Sequence, residues 1–298
     1  MNFIKTLFKE TNQTLKDNNI LIQPLILYLI AILVILMPIS EKLANPHDST
    51  EIIKTLLIGL VCIILINVVF NAGWYNMLYT CIKTPINPNL NKSEQALKSL
   101  ELFKAFFPGV ALFFNRYLAG TLLYFAIILI IGLGAYSYGM ENIGAPVGIS
   151  WDIFSDPNQT YESMQNYILN LPDGIKLQIA QWELLIFAAL ISTFIINYLS
   201  IFWPQMVIVD NINPIRAFIN SFKEAFKHPL RVLIIALSFA FCLKICFIIF
   251  SIPFILFPFV GIIIYVFTVS YFNLMIFKYL DTKQTPNNNS RSDSIGQN

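Results

Sequence analysis

Apolar residues run through this chain in blocks of twenty or more, parted by short polar stretches, and that spacing predicts long helices. A bilayer's hydrocarbon core is about 30 Å thick, which a helix crosses with about 20 mostly apolar residues. Six stretches meet that requirement: residues 20–39, 52–79, 117–138, 182–209, 230–251 and 252–277. The last two form one run too long for a single crossing. It is interrupted at Ser251-Ile252-Pro253 and at Pro258, where proline removes a donor and crowds the preceding turn, so a tight hairpin is predicted. The first run follows a polar head carrying Glu10 and Asp17, and reads as a retained anchor rather than a signal-peptide core. The expected fold class is all-α: a polytopic membrane helical bundle of about six transmembrane helices, one integral membrane domain over 1–281. A polar stretch over 282–298 reads as a disordered cytoplasmic tail.

Between these runs the pattern changes to amphipathic. Phe3, Ile4, Leu7, Phe8 and Leu15 fall at helical spacing in the head, with Lys5, Lys9 and Lys16 elsewhere on the wheel. Ala96, Leu100, Phe103 and Phe107 repeat the stripe near Lys98 and Lys104. Ile215, Phe218, Phe222 and Phe226 do so again beside Arg216, Lys223 and Lys227. Basic amphipathic helices of this kind lie in the headgroup layer, so three interfacial helices are expected. Each precedes two spans, with local echoes at Phe8-Lys9-Glu10, Phe103-Lys104-Ala105 and Phe222-Lys223-Glu224 that leave a true triplication open.

Composition sharpens this picture. Of the 298 residues 56% are hydrophobic and 12% charged, whereas a soluble domain carries about 25% charged residues. A net charge of +2 gives no reason to expect nucleic acid. The distribution of cations matters more than their sum. The head holds three, the 80–116 connector five, the 210–231 connector four and the tail three, fifteen of nineteen in all. Cations collect on the cytoplasmic side, so both termini of this multi-pass cell-membrane protein are expected there. The expected partners are anionic membrane lipids, with a membrane protein partner or a homo-oligomer also open. A mildly acidic outer loop is expected over 139–181, with turns at Gly144-Ala145-Pro146 and Asp156-Pro157-Asn158 and a short helix near 161–171.

Candidate chemistry is sparse. Polar side chains inside spans are expensive and therefore informative. Asn67 and Asn71 share a face one turn apart, with Asn76 nearer the helix end and Asn197 in the fourth span. Lys244 is the one cation deep in a span, within snorkelling reach of the outer headgroups or available to Glu183. Asn67, Asn71, Asn197 and Lys244 form the candidate intramembrane polar site. They either line a path for a small solute between the second, fourth and fifth spans, or hold helices together. Cys242 and Cys246 stand one turn apart, but His47 and His228 are not placed to complete a metal site, and no cofactor is expected. Neither P-loop, G-x-S-x-G nor H-E-x-x-H occurs, which points away from an enzyme.

One stretch carries a resemblance. Trp203-Pro204, Val207-Ile208-Val209-Asp210, Pro214-Ile215, Ala217, Ser221-Phe222-Lys223 and Pro229 follow one another after the fourth span. Phe70–Lys83, with Ala72-Gly73, is similar in placement. The pattern resembles a loose group of uncharacterised bacterial polytopic membrane proteins, related to the membrane domain of glycerophosphoryl diester phosphodiesterases. It covers chiefly the C-terminal half. The resemblance implies a six-helix membrane domain and transfers no catalytic residue, because the phosphodiesterase barrel has no counterpart here. Read physically, Asp210 is placed to cap the following helix or oppose Arg216, Ser221 to allow close packing, and Pro229 to aim the chain into the fifth span. The expected role is that of a membrane-organising, lipid-interacting or accessory protein, or else a transporter component.

Overall fold

The computed structural model describes residues 2–44, 49–84, 91–145, 160–252 and 257–292. Every regular element among them is helical. The chain runs α1 (Asn2–Asp17), a 3-10 turn (Asn19–Ile22), α2 (Gln23–Ala44), α3 (Ser49–Lys83), α4 (Lys92–Lys104) and α5 (Phe106–Asn142). It continues through α6 (Tyr161–Leu169), α7 (Asp173–Leu199), α8 (Trp203–Val209), α9 (Pro214–Lys227), α10 (Pro229–Phe250) and α11 (Phe257–Ser292). Six segments are long and apolar enough to cross a membrane, built on α2, α3, α5, α7, α10 and α11. Large apolar side chains lie bare along them, including Met37, Ile130, Leu184 and Phe247, each about 70% exposed. Such faces call for an apolar cover, and their length and composition suit the oil of a membrane.

Two compact units divide the chain: residues 1–122 with 198–298, and residues 123–197. In the first, α2 packs against α3 and α10 against α11. Gly261 meets the Phe250 ring, while Phe272 meets Phe239, so α11 runs back along α10 as the expected hairpin requires. α10 ends at Phe250; Pro253 lies outside the described residues. The buried centre of this unit is a relay of aromatic rings from α2 to α9. Tyr28, Phe70, Trp74, Tyr75, Tyr117, Trp203 and Phe218 follow one another at 4.5–5.9 Å between ring centroids.

Three boundaries differ from the sequence pattern. Residues 182–209 read as one span, but α7 stops at Leu199 and α8 begins at Trp203. The cause is Pro204, whose ring would collide with the Ser200 carbonyl of a continuous helix. The groups freed by this break are taken up from afar: Ser221 donates to the Leu199 carbonyl at 2.8 Å and accepts from the Phe202 N–H at 3.1 Å. The hydroxyl is fully buried. Replacing Ser221 with alanine would orphan both backbone groups, and a loss of about 2 kcal/mol is expected in detergent unfolding curves. An unchanged midpoint would mean other partners serve the break. Ser221, expected to allow close packing, is buried and serves through its hydroxyl, whereas the cap of α9 falls to Asn213, whose side chain accepts from the Arg216 N–H at 2.9 Å. Pro229 opens α10 at its first turn, as expected.

The second difference lies at the two ends of the 139–181 loop, into which α5 and α7 extend, while α6 falls at the short helix expected near 161–171. α5 continues to Asn142, α6 occupies Tyr161–Leu169 and α7 starts at Asp173. Gly144, at φ +83°, closes α5 in the left-handed conformation that a side chain disfavours. Gln178 then donates to the Ile143 and Ala145 carbonyls and Trp182 to that of Gly144, so α7 holds the end of α5. Pro146 and the Asp156-Pro157-Asn158 turn lie outside the described residues. Third, α11 continues to Ser292. The backbone is therefore helical over 282–292, where the polar composition reads as disorder.

Candidate functional site

The polar positions singled out in the sequence take up different roles. Asn71 donates to the Asn67 side-chain oxygen at 2.5 Å, and Asn67 donates to the Tyr28 hydroxyl at 3.0 Å. The two amides therefore form a short ladder joining α3 to α2, with Tyr28 stacked on Phe70. Asn76 donates to the Ala105 carbonyl at 2.8 Å, where α4 gives way to α5, beside the Gly109 N–H that donates to the same oxygen at 3.3 Å. In the other unit, Asn197 accepts from the Tyr124 hydroxyl. Lys244 is exposed on α10, and no hydrogen bond or ion pair to it occurs among the described residues. Cys246 is buried and Cys242 half-buried. No cluster of three or more His, Cys, Asp or Glu side chains suited to a metal occurs among the described residues.

A different pair of amides sits at a pocket. Gln205 on α8 and Asn273 on α11 are buried, and the Gln205 amide nitrogen donates to the Asn273 oxygen at 2.8 Å. Asn273 spends its own nitrogen on the Val269 carbonyl one turn back, at 2.8 Å. They border a pocket of about 280 Å³, walled also by Tyr75, Tyr265, Phe239 and Phe272. Elements of the second, fifth and sixth spans thus surround it together with α8, while Asn67, Asn71, Asn197 and Lys244 are not among its lining residues. Gln205 and Asn273 carry the same signal as Asn67, Asn71 and Asn197, an amide within an apolar run.

The surface of the amphipathic helices is the second candidate. On α9, Pro214, Ala217, Phe218, Ser221 and Ala225 are buried. A separate stripe of Ile215, Ile219 and Phe226 lies bare, with Phe226 71% exposed. Exposed Arg216, Lys223 and Lys227 form the adjoining row. α9 therefore has an apolar face for the protein, another for its surroundings, and a cationic edge beside it. On α4, Leu97, Leu100 and, just beyond, Phe107 are exposed, near Lys98 and Lys104. Beside them an apolar groove of about 380 Å³ runs between α2, α3 and the α4–α5 junction, walled by Leu27, Leu65, Phe103 and Phe107 among others.

α1 behaves otherwise. Leu7 and Leu15 are buried, Tyr271 donates to the Phe8 carbonyl at 3.0 Å, and Lys278 donates to that of Glu10 at 2.9 Å. Its apolar stripe is covered mainly by α11, not left bare as in α9. Phe3 remains partly exposed beneath Arg231, 5.2 Å from the ring centroid. No known protein family, curated protein or solved structure matches this chain. The functional reading therefore rests on these surfaces and pockets alone.

Proposed function

We propose that this is a non-enzymatic bacterial inner-membrane protein with both termini in the cytoplasm, which engages anionic lipid and acts in membrane organisation or as an accessory subunit. The observation that carries the reading is α9, where a bare stripe of Ile215, Ile219 and Phe226 adjoins Arg216, Lys223 and Lys227. An apolar row against a cationic row matches the boundary between acyl chains and anionic headgroups, and neither row is needed to hold the fold. The exposed residues of α4 and the groove beside them extend this surface, giving an acyl chain a place below the headgroup layer. The crowding of fifteen cations into the head, the two connectors and the tail supports the orientation.

The test is lipid preference. Native mass spectrometry of protein released from nanodiscs of mixed phosphatidylglycerol and phosphatidylcholine should find phosphatidylglycerol retained above its bulk share. Each cation near an anionic surface contributes about 1 kcal/mol, and one headgroup meets one or two of the three. A combined Arg216→Ala, Lys223→Ala, Lys227→Ala variant should therefore lose about tenfold in that preference. Its thermal midpoint should not move, because all three side chains are exposed. Equal retention of both lipids by the unaltered protein would end the proposal.

A further inference from the structure

We infer that the pocket between α3, α8, α10 and α11 binds a small uncharged aromatic molecule through a single N–H or O–H group that donates to Gln205. The inference starts from hydrogen-bond bookkeeping. The Asn273 nitrogen is committed to the Val269 carbonyl, which turns the Asn273 oxygen toward Gln205. That oxygen needs a donor, so the Gln205 amide must present its nitrogen there, and the network leaves no freedom to flip it. The Gln205 oxygen is then an acceptor on a side chain that is 2% exposed, and nothing among the described residues donates to it. A buried amide oxygen without a donor is costly, and Gln205 is one of the residues that line the pocket.

The walls select the rest of the ligand. The described lining residues carry no charge, so an ion would enter without a counter-charge. Phe239, Phe272, Tyr75 and Tyr265 present ring surfaces, which favour a flat apolar body. A volume of about 280 Å³ suits roughly ten non-hydrogen atoms, judged against the ~30 Å³ share of one water molecule. Leu243 and Tyr265 are half-exposed on α10 and α11, within the apolar runs of the fifth and sixth spans. A molecule arriving there comes through hydrocarbon, which again favours one that is uncharged. This site is independent of the lipid surface on α9, and either can fail alone.

Indole and N-methylindole are the probes, because they share shape and oil solubility and differ in the one N–H. Equilibrium dialysis of radiolabelled indole against the full chain in detergent should reveal a saturable component of one molecule per chain above micelle partitioning. N-methylindole should compete at least tenfold less well, as loss of the single hydrogen bond requires. Gln205→Met keeps the length of the side chain and removes the acceptor, and should weaken indole at least tenfold. The comparison of the two probes on the unaltered protein decides the matter even where that variant folds poorly. Absence of saturable binding, equal competition by N-methylindole, or full affinity in folded Gln205→Met would each overturn the inference.

Discussion

Replacing Trp74 with alanine should destabilise the protein by about 3–5 kcal/mol, the range for deleting a buried tryptophan. Trp74 is 1% exposed at the centre of the aromatic relay, 5.2 Å from Phe70 and 5.3 Å from Tyr75 between ring centroids. Its indole N–H donates to the Leu21 carbonyl at 2.8 Å, which ties the 3-10 turn before α2 to the middle of α3. In a bilayer, apolar burial between helices brings little of the usual gain from leaving water, because lipid tails are as oily as the core. The loss here has another origin. Alanine leaves a void whose lining loses contact atoms on one side, and it orphans a buried carbonyl.

Trp74→Phe separates the two parts, since it keeps most ring contacts and loses the N–H; about 1–2 kcal/mol is expected for it. For a chain of this length each kcal/mol moves the unfolding midpoint by roughly 2 °C, so Trp74→Ala should melt about 6–10 °C lower in detergent. A shift near zero would show that the relay is adjacency without mutual support.

The six apolar spans were legible because the bilayer imposes a length, and a length is visible in any sequence. The break after Leu199 was not. Pro204 acts on a carbonyl four residues earlier, and the helix can stop there because Ser221, far along the chain, accepts and donates for the freed groups. Nothing local in 182–209 announces that partner. The amphipathic helices show a similar limit. Periodicity marks an apolar face but cannot say what covers it, and oil and protein are equally apolar covers. Hence α1, whose stripe is pressed against α11, and α9, which has a bare stripe as well as a buried one, look alike in the sequence.

The amides fall between these cases. An asparagine in an apolar run signals that some partner exists, and this held for Asn67, Asn71 and Asn197. The identity of the partner was hidden, because Tyr28 and Tyr124 lie dozens of residues away. Gln205 and Asn273 likewise pair across 68 residues, and each alone looks like a tolerated polar residue.

Gly109→Leu is expected to cost about 3 kcal/mol or more, for a reason that also accounts for Asn76. A Cβ at Gly109 would stand 2.7 Å from the Ala72 carbonyl oxygen and 2.5 Å from the Asn76 Cβ. The first of these is backbone, so no rotamer change relieves it, and overpacking of this kind costs about 1–3 kcal/mol before anything else is lost. The close approach has a use. It brings Asn76 within 2.8 Å of the Ala105 carbonyl, and it seats the Phe106 ring over Gly73, where a Cβ would lie about 2.6 Å from the ring. A leucine that wedges α3 and α5 apart therefore also breaks the Asn76–Ala105 hydrogen bond at the α4–α5 junction and unseats Phe106. Because one contact carries all three effects, they should not add. Asn76→Ala alone should cost about 1 kcal/mol by removing this hydrogen bond, the Ala105 carbonyl keeping the Gly109 N–H at 3.3 Å. In the Gly109→Leu background it should cost nearly nothing, since that bond is already gone, and a double-mutant cycle should return a coupling of about 1 kcal/mol. Strict additivity would mean that Asn76 reaches Ala105 without help from the glycine, and that the helices meet there by coincidence of shape alone.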